Sequence, residues 1–226
     1  MTRPTFDVPA IYRTARERLV MLAMTLKPEH LATPVPTCPG WSVHDLYAHL
    51  AGLSSDVLGG EVAAPDSDEA TANQVATRKG VAIGELVAEL VRNSPELERR
   101  LAERTLTLRL AIDAWTHDQD IHNALGIVSG RDSAGLALTI SFVGRLERVL
   151  TPAGLAPLRI ITEDHDWAIG DGEPGAVLRI SGYELARMLL GRRSVAQMRA
   201  YDWEGDPEPY IAVLPTFGPA DNDIVE

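Results

Sequence analysis

Apolar residues recur at helical spacing through the first two thirds of the chain, and glycine or proline cuts the pattern into bundle-sized lengths. Residues 9–27 put Ile11, Ala15, Leu19, Leu22 and Leu26 on one face. The proline-rich loop "TPVPTCPG" at 33–40 cannot continue a helix. Ser42 then reads as an N-cap, with Asp45 at the third helical position, for a helix over about 42–58 that Gly59 and Gly60 end. The small, acidic and polar residues 61–73 read as a mobile loop. A long helix over about 74–102 carries Val81, Leu86, Leu90 and Leu97; another over about 106–125 stops at Gly126; a fifth over about 132–150 stops before Pro152. Five such segments with mostly short connections predict a mostly α fold, an up-and-down four-helix bundle plus an extra helix.

The pattern changes after "TPAGLAP" at 151–157. "LRIITED" and "AVLRISG" are short β-branched runs bounded by Gly, Asp and Pro, and read as strands. "YELARMLLGRR" reads as a short helix, and "MRAYDWEGDPEPYIAVL" as containing at least one more strand. Two domains are therefore expected within the 226 residues: a helical bundle over 1–152 and a small α+β domain over 153–226 that ends in a frayed acidic tail.

Composition narrows the function classes. Hydrophobic residues make up 45% and charged residues 23%, as in ordinary soluble proteins. No apolar run approaches the roughly 18 residues that span a bilayer. The opening "MTRPTFDVPAIYRTARERLV" has no basic start, apolar block and small-residue cleavage site, so no secretory signal is expected. Cys38 is the only cysteine, which excludes an internal disulfide and suits a cytoplasmic location. The net charge of −11, from 21 basic and 32 acidic residues, argues against nucleic acid or a membrane as partner. An anionic small-molecule substrate would need local capture by a metal or an arginine.

Two stretches, "CPGWSVHDLYAHLAG" at 38–52 and "IDAWTHDQDIHNALG" at 112–126, concentrate histidine and aspartate. Asp113 and His117, four apart, lie over one another on a helix and can reach one cation from adjacent turns. His49, well inside its own helix, is the natural third ligand. Two imidazoles and one carboxylate leave a divalent ion with open positions, as in a catalytic site. By spacing alone such a pair is more often a surface pair or N-terminal electrostatics than a metal site.

"VPTCPGWSVHDLYAHLAG" together with "AWTHDQDIHNALG" resembles the mycothiol-dependent maleylpyruvate isomerase family, a branch of the DinB-like metal-binding bundles. The first motif, a Cys-Pro-Gly-Trp loop and an Asp-Leu-x-x-His helix, falls on Cys38, Pro39, Gly40, Trp41, Asp45, Leu46 and His49. The second, an acidic residue, three residues and His-x-x-Asp, falls on Asp113, His117 and Asp120. "LLGRR" at 189–193 resembles an element of the family's sterol-carrier-like C-terminal domain.

The resemblance makes His49, Asp113 and His117 the ligands of a divalent metal, zinc by default with Ni²⁺, Fe²⁺ or Mn²⁺ also fitting such donors. It implies mycothiol as thiol cosubstrate and isomerisation or S-transfer on a small electrophilic substrate. It departs at Asp113, where the family pattern has glutamate. An arginine of the second domain holds a substrate carboxylate in the family, and Arg192 is preferred to Arg193 for that catalytic role. Asp45 and Asp120, each one turn from a ligand histidine, could orient it, or could be an N-cap and a solvated charge. Trp115 could wall the pocket. His44 lies about 140° around its helix from His49 and is not expected to ligate; His122 is expected at the surface, His165 in a hairpin turn, and Cys38 in a loop. A binding protein on the same scaffold and a metal-dependent hydrolase are the alternatives.

Overall fold

The computed structural model describes residues 5–60 and 68–226, so the part of the expected mobile loop at 61–67 lies outside the described residues. No described helix is long and apolar enough to cross a membrane. Two compact units divide the chain, one reaching Gly130 and including Glu226, the other Arg131–Val225.

The first unit is a helical bundle of α1 (Val8–Ala23), α3 (Val43–Gly59), α5 (Ile83–Ala102) and α6 (Arg109–Ala124), with shorter α2 (Pro28–Leu31) and α4 (Asp68–Thr77). Helix α3 packs on α4, α5 and α6, and α1 on α5 and α6. Its core joins Leu19 of α1, Val43, Leu46, Tyr47 and Leu50 of α3, Leu86 of α5 and Ile121 of α6, all buried. Burying each of these leucines stabilises the fold by about 2 kcal/mol.

Helix α3 starts as its sequence predicts. Ser42 Oγ accepts from Asp45 N while the Asp45 carboxylate accepts from Ser42 N, and Gly60, at φ +74°, ends the helix in a left-handed cap. The single helix expected over 74–102 is two. Gly80 turns the chain at φ +78° between α4 and α5, and α4 begins at Asp68, inside the segment expected to be a loop. A left-handed glycine stops a helix even where apolar spacing resumes beyond it.

Residues 132–150, expected as the last helix of the first domain, cluster with the second unit. They form α7 (Ala134–Ile140), a 3₁₀ turn at Val143–Arg145 and α8 (Glu147–Leu150), and α7 packs against α9 (Gly182–Leu189). Strands β1 (Leu158–Ile161), β2 (Asp166–Ile169), β3 (Ala176–Arg179) and β4 (Asp202–Gly205) form a sheet in the order β2-β1-β3-β4. The β1–β3 pair is parallel and the outer pairs are antiparallel. Leu158, Ile160, Ala176 and Leu178 alternate inward, while Arg159 and Arg179 face solvent. His165 sits in the β1–β2 turn, as expected, its carbonyl accepting from Thr162 N at 2.8 Å. Helices α10 (Val195–Arg199) and α11 (Glu208–Ile211) complete the unit.

The tail expected to fray is tied down. Ile224 is buried and exchanges hydrogen bonds with the Gln197 side chain at 2.7 and 3.0 Å, and Ser194 Oγ donates to Asp223. An acidic composition hides this because the anchor is one apolar residue and its backbone.

Arg193 is 3% exposed and pairs with Glu184 at 2.7 Å, where the Tyr201 hydroxyl also donates. Burial works to raise the Glu184 pKa, but Arg193 and Tyr201 outweigh it and hold the carboxyl below its usual range. The stability this adds is present above the unfolded carboxylate range and disappears as pH falls through the depressed folded value. Glu184→Gln is expected to cost about 2 kcal/mol at neutral pH by leaving Arg193 poorly paired, and to flatten the acid limb of a Tm-against-pH curve. An acid limb as steep as that of the parent protein would contradict this.

Candidate metal centre

The loop before α3 is closed on itself. Val35 N donates to the Trp41 carbonyl and Val43 N to the Thr33 carbonyl, each at 2.9 Å. With the Ser42–Asp45 cap this sets the start of α3 and therefore the face on which His49, almost two turns later, emerges. Helix α6 supplies Asp113 and His117 from adjacent turns.

The three side chains converge. His49 Nε2 lies 3.9 Å from Asp113 Oδ2, and His117 Nε2 lies 3.5 Å from Asp113 Oδ1. The two imidazoles meet edge to face with centroids 5.1 Å apart. One donor atom from each of the three lies within 4.8 Å of the others. Ligand atoms about 2.1 Å from a tetrahedral ion stand about 3.4 Å apart, so donors within 4.8 Å of one another would have to close by up to about 1.4 Å to hold one. Both histidines are buried, while the Asp113 side chain keeps 28% exposure.

The electrostatics also suit a cation. Burial pushes the His49 pKa down to about 4, so this ring is neutral, with a lone pair to offer. Burial acts the same way on His117, but Asp113 and Asp120 on either side overcome it and raise that pKa well above the ordinary value. A metal would take the place of the proton those carboxylates stabilise. The donor set of this chain therefore fits a divalent ion.

Asp120 accepts from His117 Nδ1 at 3.0 Å and its side chain is fully buried. That leaves Nε2 of His117 facing Asp113, the arrangement by which a carboxylate orients a ligating imidazole. Asp45 is spent elsewhere: it bonds Ser42 N at 2.8 Å and Ser42 Oγ at 2.7 Å. The group at His49 Nδ1 is instead Gln74 of α4, at 2.7 Å. His44 bonds the Val81 carbonyl at 2.8 Å and is not part of the converging cluster.

Trp115 is buried, but it stands about 200° around α6 from Asp113 and does not face the three converging side chains. The aromatic ring beside them is Trp41, whose centroid is 5.4 Å from that of His49. His122, expected at the surface, is buried and bonds the Asp118 carbonyl at 2.8 Å. Cys38 brings its thiol to 3.9 Å from Asp120 Oδ2, a proximity that loop composition did not signal. Behind Asp113 a cavity of about 10 Å³, lined also by Tyr12, Arg16 and Ser54, has room for one water. Burial raises the Tyr12 pKa to about 12, keeping its hydroxyl a proton donor there. In the second unit, Arg192 donates through Nη1 to the Leu190 carbonyl at 2.6 Å, while Arg193 is engaged by Glu184.

Comparison with known proteins identifies the fold and the family. Two solved structures, the mycothiol-dependent maleylpyruvate isomerase and a histidine-to-alanine mutant of it, each share the fold at a TM-score of 0.55 and 15% identity, covering 85% of this chain and 92% of theirs. No curated protein sequence matches. The mycothiol maleylpyruvate isomerase N-terminal domain matches residues 12–140, more than half of the chain and the stretch that carries all three converging side chains. The chain belongs to the family defined by that domain.

Proposed function

We propose that this protein is a metal-dependent enzyme that activates a low-molecular-weight thiol, mycothiol in its family, for isomerisation or S-transfer on a small electrophilic substrate. The observation that carries the proposal is the convergence of His49, Asp113 and His117 into a partly open, three-donor set. Bound there, a divalent ion supplies Lewis acidity that holds a thiol as thiolate, the reactive form. Zinc suits the two imidazoles and the carboxylate.

The residues have separable tasks. His49 and His117 turn Nε2 toward Asp113, and Asp113 brings the negative charge that offsets a divalent ion. Asp120 keeps the His117 ring in register, and Trp41 limits the freedom of the His49 ring from one side. Thiolate addition to a conjugated cis double bond forms a C–S bond and leaves a single bond free to rotate; loss of the same thiolate restores the alkene as trans, with no net oxidation. Protonation of the adduct at carbon, with the C–S bond kept, is S-transfer. Arg192 is proposed to pair with a substrate carboxylate on the strength of the sequence resemblance, and Arg192→Ala is expected to raise KM more than it lowers kcat.

Elemental analysis with calorimetric titration of the thiol tests the proposal. A stoichiometric divalent ion and metal-dependent thiol binding are expected. Absence of metal would favour a non-catalytic binding protein; metal without thiol affinity would favour a hydrolase, in which water takes the open position.

A further inference from the structure

We infer that Gln74, backed by Asp56, is a positioning residue that locks His49 as an Nε2 ligand. The inference rests on the metal-centre reading above and adds a residue to it from an element, α4, that supplies no ligand.

The hydrogen-bond directions in this relay are determined. Gln74 Nε2 lies 2.7 Å from Asp56 Oδ2, and Gln74 Oε1 lies 2.7 Å from His49 Nδ1. An ionised carboxylate only accepts, so the amide must turn its NH₂ to Asp56 and its oxygen to His49. A carbonyl oxygen only accepts, so His49 Nδ1 must carry the hydrogen. The neutral ring then has its lone pair on Nε2, the nitrogen that faces Asp113 Oδ2 at 3.9 Å. Turning the amide over would set NH₂ against the imidazole N–H and oxygen against carboxylate. Gln74 is 1% exposed and His49 3%, so no bulk water would relieve the mismatch.

The approach of α4 that makes this contact depends on Gly52, one turn before Asp56 on α3. A Cβ at Gly52 would sit 2.7 Å from Gln74 Cβ and 2.8 Å from Gln74 Cγ. Arg78, at the end of α4, is held by Glu89 of α5 at 2.6 and 3.0 Å, and Ser55 of α3 bonds the same carboxylate at 2.6 Å. Gln74 is thus held by the close approach to Gly52 and by the Arg78–Glu89 pair one turn on.

The test compares Gln74→Met, which keeps the length and removes the acceptor, with the double variant Q74E/D56N, which keeps an acceptor at His49 and a donor behind it. Metal affinity is read by competition with a chelator, the Co²⁺-loaded protein by its visible absorption, and the His49 tautomer in metal-free protein by ¹⁵N NMR. Gln74→Met is expected to weaken metal binding roughly 10–100-fold, to shift the Co²⁺ bands and to mix the two tautomers. The double variant is expected to recover all three readouts. A purely packing role for Gln74 would lower stability and leave tautomer and Co²⁺ spectrum unchanged, and that result overturns the inference. If Gln74→Met does not fold, a double variant that folds but lacks the Nδ1–H tautomer overturns it too, and one that has it sustains it. Failure of the parent protein to bind metal would count against the metal-centre reading, while the metal-free tautomer would still decide the role of Gln74.

Discussion

His117→Ala is expected to abolish stoichiometric metal binding and, with it, thiol-dependent turnover. The imidazole lies between two carboxylates, with Nε2 toward Asp113 and Nδ1 toward Asp120. Its loss removes one of the three proposed ligands, a larger defect than the roughly 10–100-fold that an outer partner commands. It also leaves the fully buried Asp120 without that hydrogen bond, which adds a stability cost of about 1–3 kcal/mol even in metal-free protein. His49→Ala should lose metal to the same extent and spare Asp120, while leaving the buried Gln74 Oε1 without its donor. Elemental analysis should therefore show equal metal loss in the two variants, and each should have a lower metal-free Tm than the parent protein. Retention of a full equivalent of metal by either variant would remove the basis of the proposed function.

Gly52→Ala should destabilise the protein, against the sign that helix propensity alone would give. In an exposed helix interior the exchange stabilises by roughly 0.5–1 kcal/mol. At Gly52 the new methyl meets Gln74 Cβ and Cγ and Arg78 Nη1 at 2.7–2.8 Å, contacts that force α4 outward. Overpacking of this kind costs about 1–3 kcal/mol. Gly84→Ala, in α5, is the control, because a Cβ there meets nothing within 4 Å; it should be neutral or stabilising. Denaturant unfolding of the two variants distinguishes them, and equal midpoints would mean that α4 yields without cost. Displacement of α4 also withdraws Gln74 from His49, so weaker metal binding should accompany the lower stability.

The features that sequence reading recovered are those written locally. The capping box at Ser42 and Asp45, the left-handed stops at Gly60 and Gly126, and the stacking of Asp113 under His117 all follow from residues within one or two turns of each other. The strands at 158–161 and 176–179 were visible for the same reason, as β-branched runs between turn residues. What was missed depends on contacts between segments. Gln74 sits in "DEATANQVAT", a polar helix with no apolar stripe to announce a buried face; it is buried because Gly52 leaves room for it. Asp45 was a candidate for His49 by spacing, but the amide and hydroxyl of Ser42 claim it first. His122 is drawn inward by Asp118, which no helical-face argument from Asp113 could show. At the other end of the chain, a single buried isoleucine, Ile224, holds down a segment whose composition suggested fraying.

The converging side chains come from α3 and α6, rods far apart in the chain that meet only after it has folded. An ion gripped by both would be bound by the native state and scarcely at all by the denatured one, so every increment of occupancy would translate into resistance to unfolding. Scarcity of the ion would then leave a protein that is not merely idle but shorter-lived, its abundance tracking supply of the metal.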